Sequence, residues 1–183
     1  MSKIDIKDKD QILEIGFGNG KLISKFFEIN PTIQFSGIDF SEKMCEEALK
    51  SNKDFIVSKK IQISCQDSLN LSFNINSFDK VVTINTIYFW PQVEPQLKEI
   101  NRVLKTGGQL VIGYRPKKSM INLPFTQEVF SHYDANEFQQ IIQKSGFKII
   151  KEETQLSSIN AMDGSNLEVI DICLIVEKIQ QAL

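Results

Sequence analysis

Short apolar runs alternate with stretches of helical periodicity from one end of the chain to the other. The runs at 11–15, 33–39, 61–65, 79–85, 108–115, 147–153 and 168–177 have the length of strands and are rich in Ile, Val and Phe. Between them, 19–29, 41–53, 93–104 and 134–145 place apolar residues three and four apart, as one face of a helix requires. Ser41 suits the N-cap of the second helix. Asp134, with Glu137 three residues on, suits a capping box before the last. Pro31 and Pro91 fall between helices, where the missing N–H does no harm. Alternation of this kind predicts an α/β fold, a mainly parallel sheet with helices on both faces. The 183 residues are of a length for one domain, with no internal repeat.

The chemistry begins at the end of the first strand. Ile12-Leu13-Glu14-Ile15-Gly16-Phe17-Gly18-Asn19-Gly20-Lys21 reads as a buried strand, a glycine-rich turn and a helix start. Glycine permits positive φ and a close ligand approach, and a helix N-terminus after such a turn suits a nucleotide-type ligand. The dinucleotide fingerprint G-x-G-x-x-G fails, because Lys21 stands where the third glycine is needed counting from Gly16, and Ile23 counting from Gly18. The phosphate-binding G-x-x-x-x-G-K-[ST] pattern fails as well, since Leu22 follows Lys21 and Ile15 replaces its first glycine. An acid beside a G-x-G-x-G turn is what remains.

That turn resembles motif I of the class I S-adenosylmethionine-dependent methyltransferases. Four further segments match the family in order. They are Phe35–Ser41 with Asp39, Cys65-Gln66-Asp67-Ser68, Phe78–Asn85, and Leu104-Lys105-Thr106-Gly107-Gly108. Thr106 stands where the family usually has proline, a change in turn stiffness more than in chemistry. The resemblance implies a Rossmann-like seven-stranded sheet of order 3-2-1-4-5-7-6 with the last strand antiparallel. It also implies S-adenosylmethionine as methyl donor, with S-adenosylhomocysteine as product. Glu14, Gly16, Phe17, Gly18 and Gly20 would then hold the methionine end. Asp39 would receive the ribose hydroxyls, as a carboxylate suits two donors. Phe40 and Met44 would pack on adenine, Asp67 would accept from its amino group while Gln66 or Ser68 adds a backbone N–H, and Asn85 would hold the cofactor backbone.

The segment Asn85-Thr86-Ile87-Tyr88-Phe89-Trp90-Pro91 begins where the fourth strand should end. Thr86, Tyr88 and Trp90 are candidates for the substrate wall, although aromatics serve equally well as core. Tyr114 and Arg115 close the fifth strand at the same edge, and Arg115 suits a carboxylate or phosphate. His132, the one histidine, is the only candidate general base. The segment 116–131 mixes Lys, Met, Leu, Pro and Phe without period and is expected to be a lid or substrate wall. About ten residues precede the first strand, whereas members of the family generally carry one or two helices there. Either a partner subunit or second copy covers that side, or the substrate pocket is open.

Charge narrows the partners. The net charge is −2, with no block of like charge, so nothing marks nucleic acid or an anionic membrane as a partner. Cys45, Cys65 and Cys173 form no C-x-x-C pair, so no metal site is expected, and a cytoplasmic setting is the natural reading. No apolar run reaches the length of a membrane span. The aromatic loop and the following Leu-Lys-Glu-Ile-Asn-Arg-Val-Leu-Lys helix resemble the methyltransferase type 11 branch, similar to ubiquinone/menaquinone-type enzymes. A small-molecule methyl acceptor is therefore expected. The alternatives are a protein or RNA methyltransferase and a non-catalytic cofactor-binding subunit.

Overall fold

A computed structural model describes residues 4–120, 131–160 and 166–180. β1 (Gln11–Ile15) lies at the centre of the sheet. It pairs in parallel with β2 (Gln34–Asp39) on one side and β4 (Phe78–Ile84) on the other. β3 (Ile61–Cys65) extends the sheet beyond β2, and β5 (Leu104–Tyr114) extends it beyond β4, both in parallel. β7 (Asn166–Lys178) is antiparallel to β5 and to β6 (Phe147–Asn160). The order β3-β2-β1-β4-β5-β7-β6 is the one expected.

The central strands are apolar on both faces because both are covered. On one face, α1 (Ile23–Ile29), α2 (Glu42–Ser51) and the short α3 (Lys53–Val57) enclose Ile12, Phe26, Phe35, Cys45 and Ala48. On the other, α4 (Val93–Val103) and α6 (Ala135–Lys144) enclose Leu13, Val81, Leu97, Ile100, Tyr114 and Phe138. Ser41 caps α2 by accepting from Met44 N at 3.4 Å, and Asp134 caps α6 by accepting from Asn136 N at 3.0 Å. α1 starts four residues later than the periodicity predicts. Gly16, Gly18 and Gly20 all take positive φ, between 57° and 79°, so helical geometry cannot begin until the turn has closed.

The largest departure is at β6, predicted over 147–153 and observed over fourteen residues. Thr154–Asn160 lack an apolar run, and their extended form comes from pairing with Asn166–Ile172 across the hairpin. β5 pairs only with Ile172–Glu177 of β7, ending at Tyr114. The remainder of the hairpin therefore runs past the C-terminal end of β5, the edge where open α/β sheets bind ligands. Of the lid expected at 116–131, residues 121–130 lie outside the described residues. Its near end forms α5 (Lys117–Met120), where Ser119 Oγ accepts from Ile170 N at 2.9 Å. Its far end returns through Ser131, which donates from N to Tyr88 O at 2.8 Å and from Oγ to Trp90 O at 2.9 Å.

Candidate active site

The C-terminal ends of β1, β2 and β4 meet at a crevice. Its first wall is the glycine turn, and each glycine there answers a different demand. Gly16 lies under Thr86: a Cβ at Gly16 would fall 2.3 Å from Thr86 Oγ1. Gly18 faces open space at φ +57°, and its N–H donates to Asp39 Oδ2 at 2.9 Å. Gly20 turns away from the crevice and lets α2 approach, since a Cβ there would lie 2.7 Å from Ala48 Cβ and 2.9 Å from Asn52 Nδ2. Asn52 Nδ2 also donates to Gly20 O at 3.1 Å. Phe17 is buried, with its ring against Gly37, so its side chain belongs to the core and only its backbone joins the turn.

Asp39 is buried at the end of β2 and accepts backbone N–H on both oxygens, from Gly18 at 2.9 Å and from Ser41 at 3.0 Å. It fastens the glycine turn to the start of α2. Glu14 lies beneath the same turn, 3% exposed, and its Oε2 has no hydrogen-bond partner. Burial, and secondarily the Asp39 carboxylate, lift its pKa from 4.5 to about 7. Glu14 and Asp39 give this end of the crevice two carboxyl groups, with no basic side chain among the described residues bonded to either.

Beyond the turn, a cavity of about 250 Å³ is lined by Gly16, Asp39, Phe40, Asp67, Ser68 and Thr86, among others. Phe40 at 71% and Leu69 at 48% exposure stand at its mouth, and Trp90 is buried in its wall. Gln66 lines it too, but its amide is committed to its own loop. Nε2 donates to Ser64 Oγ at 2.9 Å, and Oε1 accepts from Ser72 N and Oγ at 3.0 Å. Asp67 closes an Asx-turn by accepting from Leu69 N at 2.9 Å on Oδ1. Met44 is half-buried on α2 and is not part of this lining.

A second cavity, about 370 Å³, opens on the other side of the β4 end. Asn85, held at φ +55° with its N–H donating to Gly113 O at 2.8 Å, lines it with Ile84, Val111 and Arg115. Arg115 Nε pairs with Asp171 Oδ1 at 2.8 Å, and Glu153 and Gln155 complete a polar rim. Thus Asn85, expected beside the first cavity, faces the second.

Three substrate candidates are anchored into the scaffold, and two of them still border a cavity, Thr86 the first and Tyr114 the second. The Thr86 hydroxyl donates to Ile84 O at 3.1 Å, with Ile15 O at 3.3 Å, and so locks the loop over the glycine turn. The Tyr88 hydroxyl receives Arg115 N and donates to Asn85 Oδ1 at 3.4 Å, bridging the loop to β5. Burial pushes its pKa up to about 12. Tyr114 is 1% exposed and packs on Phe138 at a centroid distance of 4.9 Å, its hydroxyl without a partner. His132 is half-buried and lines neither cavity. Among the described residues no group of three or more His, Cys, Asp or Glu could hold a metal ion, and no helix is long and apolar enough to cross a membrane.

Several lining residues, among them Leu69, Glu153 and Gln155, were not site candidates, and two of the others are informative. Gln96 lines the first cavity from α4, and Asp171 the second from β7. Each carried a signal. Gln96 sits on the apolar stripe of Val93, Leu97 and Ile100, and Asp171 interrupts the run Val169–Val176.

A family model described as methyltransferase domain matches residues 13–112. An uncharacterised methyltransferase of Bacillus subtilis, YdaC, is 31% identical over 159 residues, covering 84% of this chain and 83% of that protein. Demethylmenaquinone methyltransferase of Staphylococcus saprophyticus is 34% identical over 112 residues, 61% of this chain. The match takes in 47%, about half, of that enzyme's length. Among solved structures, a SAM-dependent methyltransferase from Methanosarcina mazei superposes with a TM-score of 0.77 at 19% identity, covering 96% and 95% of the two chains, a likeness of fold.

Proposed function

The chain belongs to the methyltransferase domain family, and from that premise we propose that it moves a methyl group from S-adenosylmethionine to a small molecule held in the second cavity. The observation that carries this reading is the adjacency of the two cavities. Thr86 lines one and Asn85, its neighbour in the chain, lines the other. A donor in the first cavity would present its methyl across the β4 end to an acceptor in the second.

The residues present fit the donor. The unpartnered Glu14 Oε2 and the Asp39 carboxylate suit a ligand carrying an ammonium and a sulfonium. Gly18 leaves space where any side chain would stand. Asp39 keeps lone pairs for ribose hydroxyls after its two backbone contacts. Phe40 and Leu69 offer apolar faces to a base. The bound donor supplies a methyl already activated by its sulfonium charge. The protein's part is alignment and exclusion of water, which can be worth on the order of 7–11 kcal/mol. The tie from Tyr88 to Arg115 N holds the acceptor side in register with the loop over the donor side.

An amphiphilic acceptor of modest size suits the second cavity, whose floor is Ile84 and Val111 and whose rim is Asn85, Arg115, Glu153 and Asp171. The test is release of S-adenosylhomocysteine with a panel of phenolic, quinol, amine and carboxylate acceptors. Gln155→Trp, at the exposed mouth of the second cavity, should keep S-adenosylhomocysteine affinity by calorimetry and lose turnover. Turnover unchanged by that block would move the acceptor elsewhere.

A further inference from the structure

Gln96 is a polar residue where the pattern calls for an apolar one. It is 2% exposed on the inner face of α4, and its Oε1 has no hydrogen-bond partner. An unpaired buried acceptor is destabilising relative to a satisfied one. Its side chain lines the first cavity, in company with Asp67, Leu69 and Trp90. The other amide there, Gln66, is engaged at both ends by Ser64 and Ser72. Among the described residues, Gln96 is therefore the amide lining this cavity whose oxygen has no hydrogen-bond partner.

A primary amide places an acceptor and a donor side by side. The edge of adenine, an exocyclic amino group beside a ring nitrogen, is its complement, and a glutamine reads it with both atoms. On the N7 edge a base with an oxo group at that position presents two acceptors, O6 and N7, of which the amide can satisfy only one, so the edge read is the amino group with N7. We infer that Gln96 is the residue by which the first cavity selects adenine over an oxo-purine. The inference rests on the reading that this cavity takes the nucleoside of the methyl donor.

Calorimetry with S-adenosylhomocysteine and S-inosylhomocysteine tests it on the full chain. Wild type should prefer the adenine ligand by about tenfold or more, the scale of one bidentate contact. Gln96→Met, nearly isosteric and apolar, should bind the adenine ligand about tenfold more weakly and lose most of that preference. The same variant without ligand should melt at or above the wild-type temperature, because it removes an unpaired buried acceptor. Should Gln96→Met not fold, Gln96→Glu keeps the shape and the acceptor but loses the donor, and it too should weaken adenine binding. Unchanged affinity and base preference in either variant would overturn the inference while leaving the donor site in place. A ligand-free Gln96→Met that melts well below wild type would also overturn it, by making the amide part of the fold. Failure of wild type to bind either ligand would overturn the donor-site reading together with this one.

Discussion

The two sides of the ligand edge are built differently. On the β1–β2 side, polar side chains are fixed by the backbone next to them: Asp39 takes N–H groups from Gly18 and Ser41, and Asp67 one from Leu69. On the β5–β7–β6 side, charged side chains pair with one another. Arg115 meets Asp171 at 2.8 Å, and Lys151 meets Glu153 at 2.6 Å. A backbone-anchored site changes only if the fold changes, so it suits a ligand shared by every member of a family. A side-chain pair can be exchanged without moving a strand, so it suits the ligand that differs between members. The family match over 13–112 respects the same division, ending before either pair is complete.

The first way to break this contrast is at Gly16. Gly16→Ala would place a Cβ 2.3 Å from Thr86 Oγ1 at a φ of +79°. Strain and overpacking together should cost about 2–5 kcal/mol in chemical denaturation and abolish donor binding. Thr86→Gly in the same chain should recover part of that stability. No recovery would show that the backbone angle alone sets the cost.

Glu14 gives a pH signature of somewhat similar size. The unfolded side chain ionises near 4.5, while the folded one holds its proton to about 7. Its contribution to stability is therefore complete below pH 4.5, falls as pH rises toward 7, and is level above. The fall is about 3 kcal/mol as an order of magnitude. Glu14→Gln should flatten this part of the stability profile, measured by urea midpoints from pH 5 to 8. An unchanged slope would mean that another group carries it.

Asp39→Asn is smaller in stability and more telling for the site. The amide has one acceptor where the carboxylate has two, so either Gly18 N–H or Ser41 N–H loses its partner. A loss of about 1–3 kcal/mol follows, with weaker S-adenosylhomocysteine binding by calorimetry. Because the glycine turn itself loosens, lost affinity alone does not report a ribose contact. Full affinity at reduced stability would confine Asp39 to the turn.

What could be read from the sequence follows the same division. The parallel strands, the glycine turn and the acids at the ends of β1, β2 and β3 were legible, because strand-end placement and positive φ are local properties, whereas the strand order followed only from the family resemblance. Direction was not. Gly20 and Gly16 look alike in sequence, yet one meets Ala48 and the other Thr86. Phe17 lies inside the motif and still turns its ring to Gly37. Thr86 and Tyr114 border the cavities while Tyr88 does not, because how each is turned depends on the packing of Phe138 and on the tie to Arg115. The pairing that extends β6 past β5 joins residues with no apolar pattern of their own, so periodicity could not reveal it.

The smallest expected effect probes the acceptor side. Arg115 and Asp171 are 21% and 37% exposed, and their ion pair is open to solvent and to salt. A double-mutant cycle of Arg115→Gln and Asp171→Asn, followed by denaturation at low and high salt, should give a coupling of about 0.5–1 kcal/mol that shrinks as salt rises. Neither single variant should alter S-adenosylhomocysteine affinity, because both side chains line the second cavity only. A coupling of several kcal/mol, insensitive to salt, would mean that this side is as rigidly prepared as the glycine turn. Acceptor choice would then be set by the fold itself and not by exchangeable charges on its surface.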